Sequence, residues 1–217
     1  SSPPAASAFQ GTDDGEPNER SCILKPMTTS PVSSEALLTA DEFWDLPEPV
    51  HGGRMELVAG RAVTEMPVGR LHAKLAARLL RTIGDFVEKH RLGETHVELG
   101  HRTSGTPDSV RAPDVSFSTN HLLEGSSSDG FVNFAPTLAI EVISPHDREA
   151  EIAGKVEEYL DAGSARVWIV RPANKTVTVH RPGGDAHTYT VRDTLTSDDA
   201  AFTAKGFELQ LEQFFSE

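Results

Sequence analysis

Leu138-Ala-Ile-Glu-Val-Ile143 is an apolar run of strand length with a carboxylate inside it, Glu141. An ionised carboxylate is almost never fully buried unless it is paired or binds a metal, so the chain has to fold in a way that supplies Glu141 with a cation or with water. Successive side chains on a strand alternate between faces. Leu138, Ile140 and Val142 therefore share one face, and Ala139, Glu141 and Ile143 the other. Arg111-Ala-Pro-Asp-Val-Ser-Phe117 poses the same problem, with Val115 and Phe117 on one side and Asp114 and Ser116 on the other. If the two strands pair, both carboxylates converge on one side of the sheet. Oxygen ligands of that kind suit magnesium or manganese, which take one or two protein carboxylates and fill the rest of their shell with water. The competing reading is a pair of edge-exposed acids that share nothing.

Lys155 is the third unusual charge. At 100° per residue, Ile152, Val156, Tyr159 and Leu160 form the buried stripe of a helix running from about Arg148 to Ala162. Lys155 falls about 40° from Tyr159 and about 60° from Ile152, at the margin of that stripe, where it can reach across strand ends. Otherwise it forms a surface pair with Glu151 at i,i+4, worth about 0.3–0.5 kcal/mol.

The remaining pattern frames these residues. Residues 1–34 are rich in Ser, Pro, Thr, Asp and Glu with one aromatic, Phe9, and are expected to be a flexible extension; residues 35–217 then form one domain. Met27-Thr-Thr-Ser30 reads as a natural start, so residues 1–26 are set aside from fold reasoning. Thr39-Ala-Asp-Glu42 matches a capping box that opens a short helix. Met55–Val58 and Arg61–Val63 form a hairpin around Ala59-Gly60. A long helix covers Arg70 to His90, with Leu71, Leu75, Leu79, Ile83 and Phe86 on one face, and Leu92-Gly93 ends it. Strands are expected at Thr95–Arg102, Arg111–Ser118 and Thr137–Ile143, a loop from Thr119 to Asn133 joining the last two. After the second helix come a strand at Arg166–Val170 and a hairpin of Lys175–Arg181 with His187–Arg192 around Pro182-Gly-Gly184. The order helix, three strands, helix, strand gives a mixed α/β (α+β) sheet with flanking helices.

Charge is uneven. The chain carries 20 Lys+Arg and 33 Asp+Glu, a net −13, yet residues 51–92 hold eight bases against four acids. Arg70, Lys74, Arg78 and Arg81 recur at i, i+4, i+8 and i+11, a basic stripe opposite the leucines. It is either a phosphate-contacting face or a solvated one. Other classes are disfavoured. No apolar run approaches the roughly 20 residues of a membrane helix. The start lacks the basic-then-apolar pattern of a secretory signal, which makes a cytoplasmic location the expectation. Cys22 is alone, excluding an internal disulfide framework and a Cys-based zinc site. Nine histidines show no metal-ligand spacing, and no Gly-x-Ser-x-Gly occurs. His72 is expected to line the site or pack at the helix start.

Taken in order, Glu56 in a Glu-Leu-x-x-Gly hairpin, Leu71-His72, Arg111-Ala-Pro-Asp114, Leu138-Ala-Ile-Glu141-Val-Ile-Ser-Pro145, Lys155 with Tyr159 and Gly163, and Val167-Trp-Ile-Val-Arg-Pro172 carry a resemblance. Together they resemble the Uma-type family of restriction-endonuclease-like proteins, within the PD-(D/E)XK nuclease superfamily, over residues 35–217. The resemblance implies an αβββαβ nuclease core, Asp114 and Glu141 as ligands of Mg2+ (or Mn2+), and Glu56 as an accessory acid. The expected partner is DNA as substrate, with no membrane partner and with a homodimer as an option left open. The superfamily's strand lysine, two residues after the glutamate, is Ile143 here, and the resemblance moves its role to Lys155. The family's Asp four residues before that lysine is Glu151. Its Glu-Tyr-Trp and Val-Asp-Pro runs read Arg166-Val-Trp168 and Val170-Arg-Pro172. The expected activity is Mg2+-dependent hydrolysis of DNA phosphodiesters. A degenerate DNA- or protein-binding module and a metal-dependent hydrolase of small phosphate esters stand as alternatives.

Overall fold

Thr39 caps α1 (Ala40–Trp44) as its sequence implies: Glu42 N–H donates to Thr39 Oγ1 at 3.2 Å, and Thr39 N–H donates to the Glu42 carboxylate at 2.8 Å. The computed structural model describes residues 36–49, 52–127 and 129–216. The expected extension at 1–34, with Cys22 and Met27, lies outside them. Ala36–Glu217 form one unit.

From α1 the chain runs through β1 (Arg54–Val58), β2 (Arg61–Glu65), α2 (Arg70–His90), β3 (Gly93–His96), β4 (His101–Gly105), β5 (Asp108–Arg111), β6 (Val115–Thr119) and α3 (Asn120–Leu123). It continues through β7 (Leu138–Val142), α4 (Glu149–Asp161), β8 (Arg166–Arg171), β9 (Thr176–His180) and β10 (Ala186–Tyr189). β11 (Thr194–Thr196), β12 (Glu208–Gln210) and α5 (Leu211–Phe214) complete it. The main sheet has the order β10-β9-β8-β7-β6-β3, antiparallel except for the β7–β8 pair. α2 covers one face, where Leu75, Leu79 and Ile83 pack with Phe117, Ile140 and Trp168. α4 covers the other, with Ile152, Val156 and Tyr159 against Ala139, Val167 and Ile169. α2-β3-β6-β7-α4-β8 is thus the expected αβββαβ order. A second sheet, β2-β1-β5-β4, packs Leu57 and Val110 against Ala40 and Phe43 of α1.

Two expected strands are in fact four. Thr95–Arg102 breaks after His96, where Glu98 adopts a left-handed φ of 53°, so β3 stays in the main sheet and β4 joins the second. Arg111–Ser118 breaks at Ala112-Pro-Asp114, because Pro113 has no N–H to give a ladder. The chain therefore crosses between sheets immediately before Asp114. Leu71 is 56 % exposed; the buried stripe of α2 is His72, Leu75, Leu79, Ile83 and Val87. The close approach of β3 to β6 requires Gly93, where an added Cβ would sit 1.9 Å from the Ser118 carbonyl oxygen. The segment after Arg192, in which no elements were expected, adds Leu195, Leu209, Leu211 and Phe214 to the α2-side core. Among the described residues no helix is long and apolar enough to cross a membrane.

Candidate active site

Antiparallel register sets Asp114 against Glu141. β6 and β7 pair Val115 with Ile140, and one step further along that ladder Asp114 faces Glu141. Both are buried, at 4 % and 5 % exposure, so the edge-exposed reading does not hold. Asp114 Oδ2 accepts the Val142 N–H at 2.7 Å and lies 3.1 Å from His72 Nε2, while Oδ1 accepts Arg54 Nη1 at 3.2 Å. Glu141 Oε1 accepts the Tyr159 hydroxyl at 2.9 Å, and Oε2 lies 3.5 Å from Lys155 Nζ.

Lys155 points into this pocket. Its ammonium donates to Glu65 Oε1 at 2.7 Å and lies 3.3 Å from Glu56 Oε2. The surface pair with Glu151 does not form: Glu151 lies 3.7 Å from Arg148 instead. Glu56 stands on β1 beside β5, whose pairing of Leu57 with Val110 brings Glu56 to Arg111. Arg111 Nη1 donates to Glu56 Oε2 at 3.0 Å, the Ala112 N–H donates to Oε1 at 3.0 Å, and Arg111 also binds Glu158 on α4 at 2.6 and 2.8 Å. Glu65 completes the pocket, taking Arg54 on its other oxygen.

Burial pushes the Glu141 carboxyl up to about 7, Lys155 opposing it and Asp114 and Glu56 adding to it. Burial also acts against the Lys155 ammonium, but Glu141, Glu56 and Glu65 overcome it and hold the proton well above the ordinary lysine range. Burial would raise Asp114 too; the bond from His72 and the charge of Arg54 keep it low. Burial acts against the His72 imidazolium, but the bond to Asp114 and the charge of that carboxylate together raise it. Glu56, Glu65, Asp114, Glu141 and Glu158, with Glu98 at the rim 3.8 Å from Arg54, are carboxylates that outnumber the three cations facing them, Arg54, Arg111 and Lys155. That surplus and the all-oxygen carboxylate set fit a hard divalent cation held by Asp114 and Glu141 with water. Among the described residues no three His, Cys, Asp or Glu side chains gather as ligands of one ion.

The structure thus brings Asp114, Glu141, Lys155 and Glu56 together. The basic stripe lies outside them. Arg70, Lys74 and Arg81 are exposed, whereas Arg78 is half-buried and donates through Nη1 to the Phe214 and Ser216 carbonyls. Arg54, Glu65 and Glu158 went unseen in the sequence. The signal for the first two was there: a two-residue turn at Ala59-Gly60 fixes Arg54 opposite Glu65.

A family model described as "Uma2: Putative restriction endonuclease" matches residues 40–212, a span that contains every residue of this pocket. The chain belongs to the Uma2 family. Among solved structures, the crystal structure of "a putative nuclease belonging to DUF820 from Anabaena variabilis ATCC 29413" is similar to the Uma2 chain with a TM-score of 0.67 and 22% identity, covering 82% of this chain and 97% of that one. The likeness is one of fold, the restriction-endonuclease-like fold. No curated protein matches this Uma2 chain.

Proposed function

We propose that this Uma2 chain is a divalent-metal-dependent endonuclease that hydrolyses DNA phosphodiester bonds, acting in the cytoplasm. The observation that carries the reading is the buried pair Asp114 and Glu141, opposed across two strands, with a charged Lys155 beside Glu141 and more carboxylates than cations around them. Asp114 and Glu141 would hold Mg2+ or Mn2+, with Glu56 alongside. Bound there, the cation supplies charge for the phosphate and lowers the pKa of a water.

The chain's own residues do the rest. Tyr159 holds Glu141 Oε1 and so orients the carboxylate. Lys155 keeps its proton, so it serves as a fixed positive charge that orients water or stabilises charge growing on the phosphate, and not as a base. The exposed Arg70, Lys74 and Arg81 extend from the end of α2 that carries His72, where they can take DNA phosphates.

Cleavage of supercoiled and linear DNA in Mg2+, Mn2+ and EDTA tests the reading. Cleavage should need the metal, disappear in Asp114→Asn and Glu141→Gln, and fall by about 10²–10³ in Lys155→Met. Lys155→Met should also bind Mn2+ at least as tightly as wild type, because a positive charge near the ion has gone. No cleavage of any DNA, or undiminished cleavage in Asp114→Asn, overturns the proposal.

A further inference from the structure

Arg54 is the cation of this pocket that sits on the proposed metal ligand Asp114, and the reaction above gives it no task. Its side chain is 16 % exposed, and it stands opposite Glu65 in the β1–β2 register. Nε donates to Glu65 Oε2 at 2.8 Å and Nη2 donates to the same oxygen, while Nη1 reaches Asp114 Oδ1 at 3.2 Å and lies 3.8 Å from Glu98. Asp114 Oδ2 is engaged twice, by the Val142 N–H and by His72. Oδ1 is therefore the oxygen through which Asp114 can take a cation, and Arg54 occupies it.

Two positive charges do not share one carboxylate oxygen comfortably. A divalent cation taken up by Asp114 would compete with Nη1 for Oδ1, while the two bonds to Glu65 would keep the rest of the guanidinium in place. A guanidinium anchored at Nε and Nη2 still has Nη1 and the outer hydrogen of Nη2 to offer, in the planar arrangement that suits phosphate oxygens. Glu65 holds Lys155 through its other oxygen at 2.7 Å, so one carboxylate sets the position of both cations beside the reacting phosphate.

We propose that Arg54 is a phosphate-binding residue of this site, held on Asp114 until a divalent cation replaces it and tethered throughout by Glu65. The inference rests on the metal-dependent nuclease reading above. Its test is calorimetric titration of the full chain with Mn2+, together with binding of a short DNA duplex in Ca2+, for wild type, Arg54→Met and Arg54→Lys. Arg54→Met should bind Mn2+ about tenfold more tightly, because a competing charge has left Asp114, and the duplex about tenfold more weakly. Arg54→Lys keeps the charge and guards against misfolding of the Met variant. It should bind Mn2+ nearly as wild type does, yet recover only part of the duplex affinity, since an ammonium lacks the planar fork. Mn2+ binding that is unchanged or weaker in Arg54→Met overturns the inference and makes Arg54 a prop for Asp114. Full recovery of duplex affinity in Arg54→Lys overturns the fork. A wild type that binds no Mn2+ overturns the nuclease reading as well, which separates the two failures.

Discussion

Glu141 is held in the pocket at the expense of stability. A glutamate in an unfolded chain titrates at about 4.3, whereas burial lifts this one to about 7 in the fold. Between those values the folded state binds more protons than the unfolded one. Stability contributed at low pH is therefore lost as pH rises through the window, and the loss persists above it. In the metal-free protein it is on the order of 3 kcal/mol. Glu141→Gln removes the charge while keeping an acceptor for the Tyr159 hydroxyl. In EDTA, urea unfolding should find this variant more stable than wild type at pH 8 and close to it near pH 5, with Mn2+ binding lost. A variant less stable than wild type at pH 8 would remove desolvation as the cause. The alternation of Leu138-Ala-Ile-Glu-Val-Ile143 was enough to single out this carboxylate. It could not reveal Arg54 or Glu65, because which strand lies beside Asp114 is a fact of the crossover at Ala112-Pro-Asp114.

α2 divides its charges between one the fold uses, Arg78, and others left exposed on its surface. Its span of Arg70–His90 was legible because Leu71, Leu75, Leu79, Ile83 and Phe86 recur at helical spacing and Leu92-Gly93 marks its end; in the structure Arg91, in a left-handed conformation, closes it. The basic stripe was legible as a stripe, but not that Arg78 is bound to carbonyls at the C-terminal end of the chain. Arg70→Glu/Lys74→Glu should weaken duplex binding and flatten its salt slope by nearly one for each DNA phosphate that is no longer neutralised. Arg78→Ala should leave that slope alone and lower stability by about 1–2 kcal/mol, the usual effect of leaving carbonyls unpaired. Electrophoretic binding at several salt concentrations and thermal unfolding separate the two. An unchanged slope in the double variant would make the stripe a solvated face. The short strands were harder to read. β3 and β4 lie five residues apart yet belong to different sheets, and no periodicity within Thr95–Arg102 marks the left-handed residue at Glu98 that turns one into the other.

No single layer of the molecule contains the pocket. The second sheet supplies Arg54, Glu56, Glu65 and Arg111; the β6–β7 ladder supplies Asp114 and Glu141; α4 supplies Lys155, Glu158 and Tyr159; α2 supplies His72. A divalent cation held by Asp114 and Glu141, as proposed, would draw on all four, so its effect would belong to the stability of the whole unit. An ion that binds only the folded state adds about 2.7 kcal/mol at a hundredfold excess over its dissociation constant. For a unit of this size that is a rise in melting temperature of about 5–10 °C. The rise should be smaller at pH 6 than at pH 8. Below about 7 Glu141 is largely protonated, and it has to release that proton before its oxygen can serve as a ligand. Asp114→Asn and Glu141→Gln should melt at temperatures that do not respond to Mn2+ at either pH. Scanning calorimetry of the three proteins with and without Mn2+ measures this directly. Equal rises in wild type and both variants would place the ion elsewhere on an acidic surface and detach the pocket from metal chemistry.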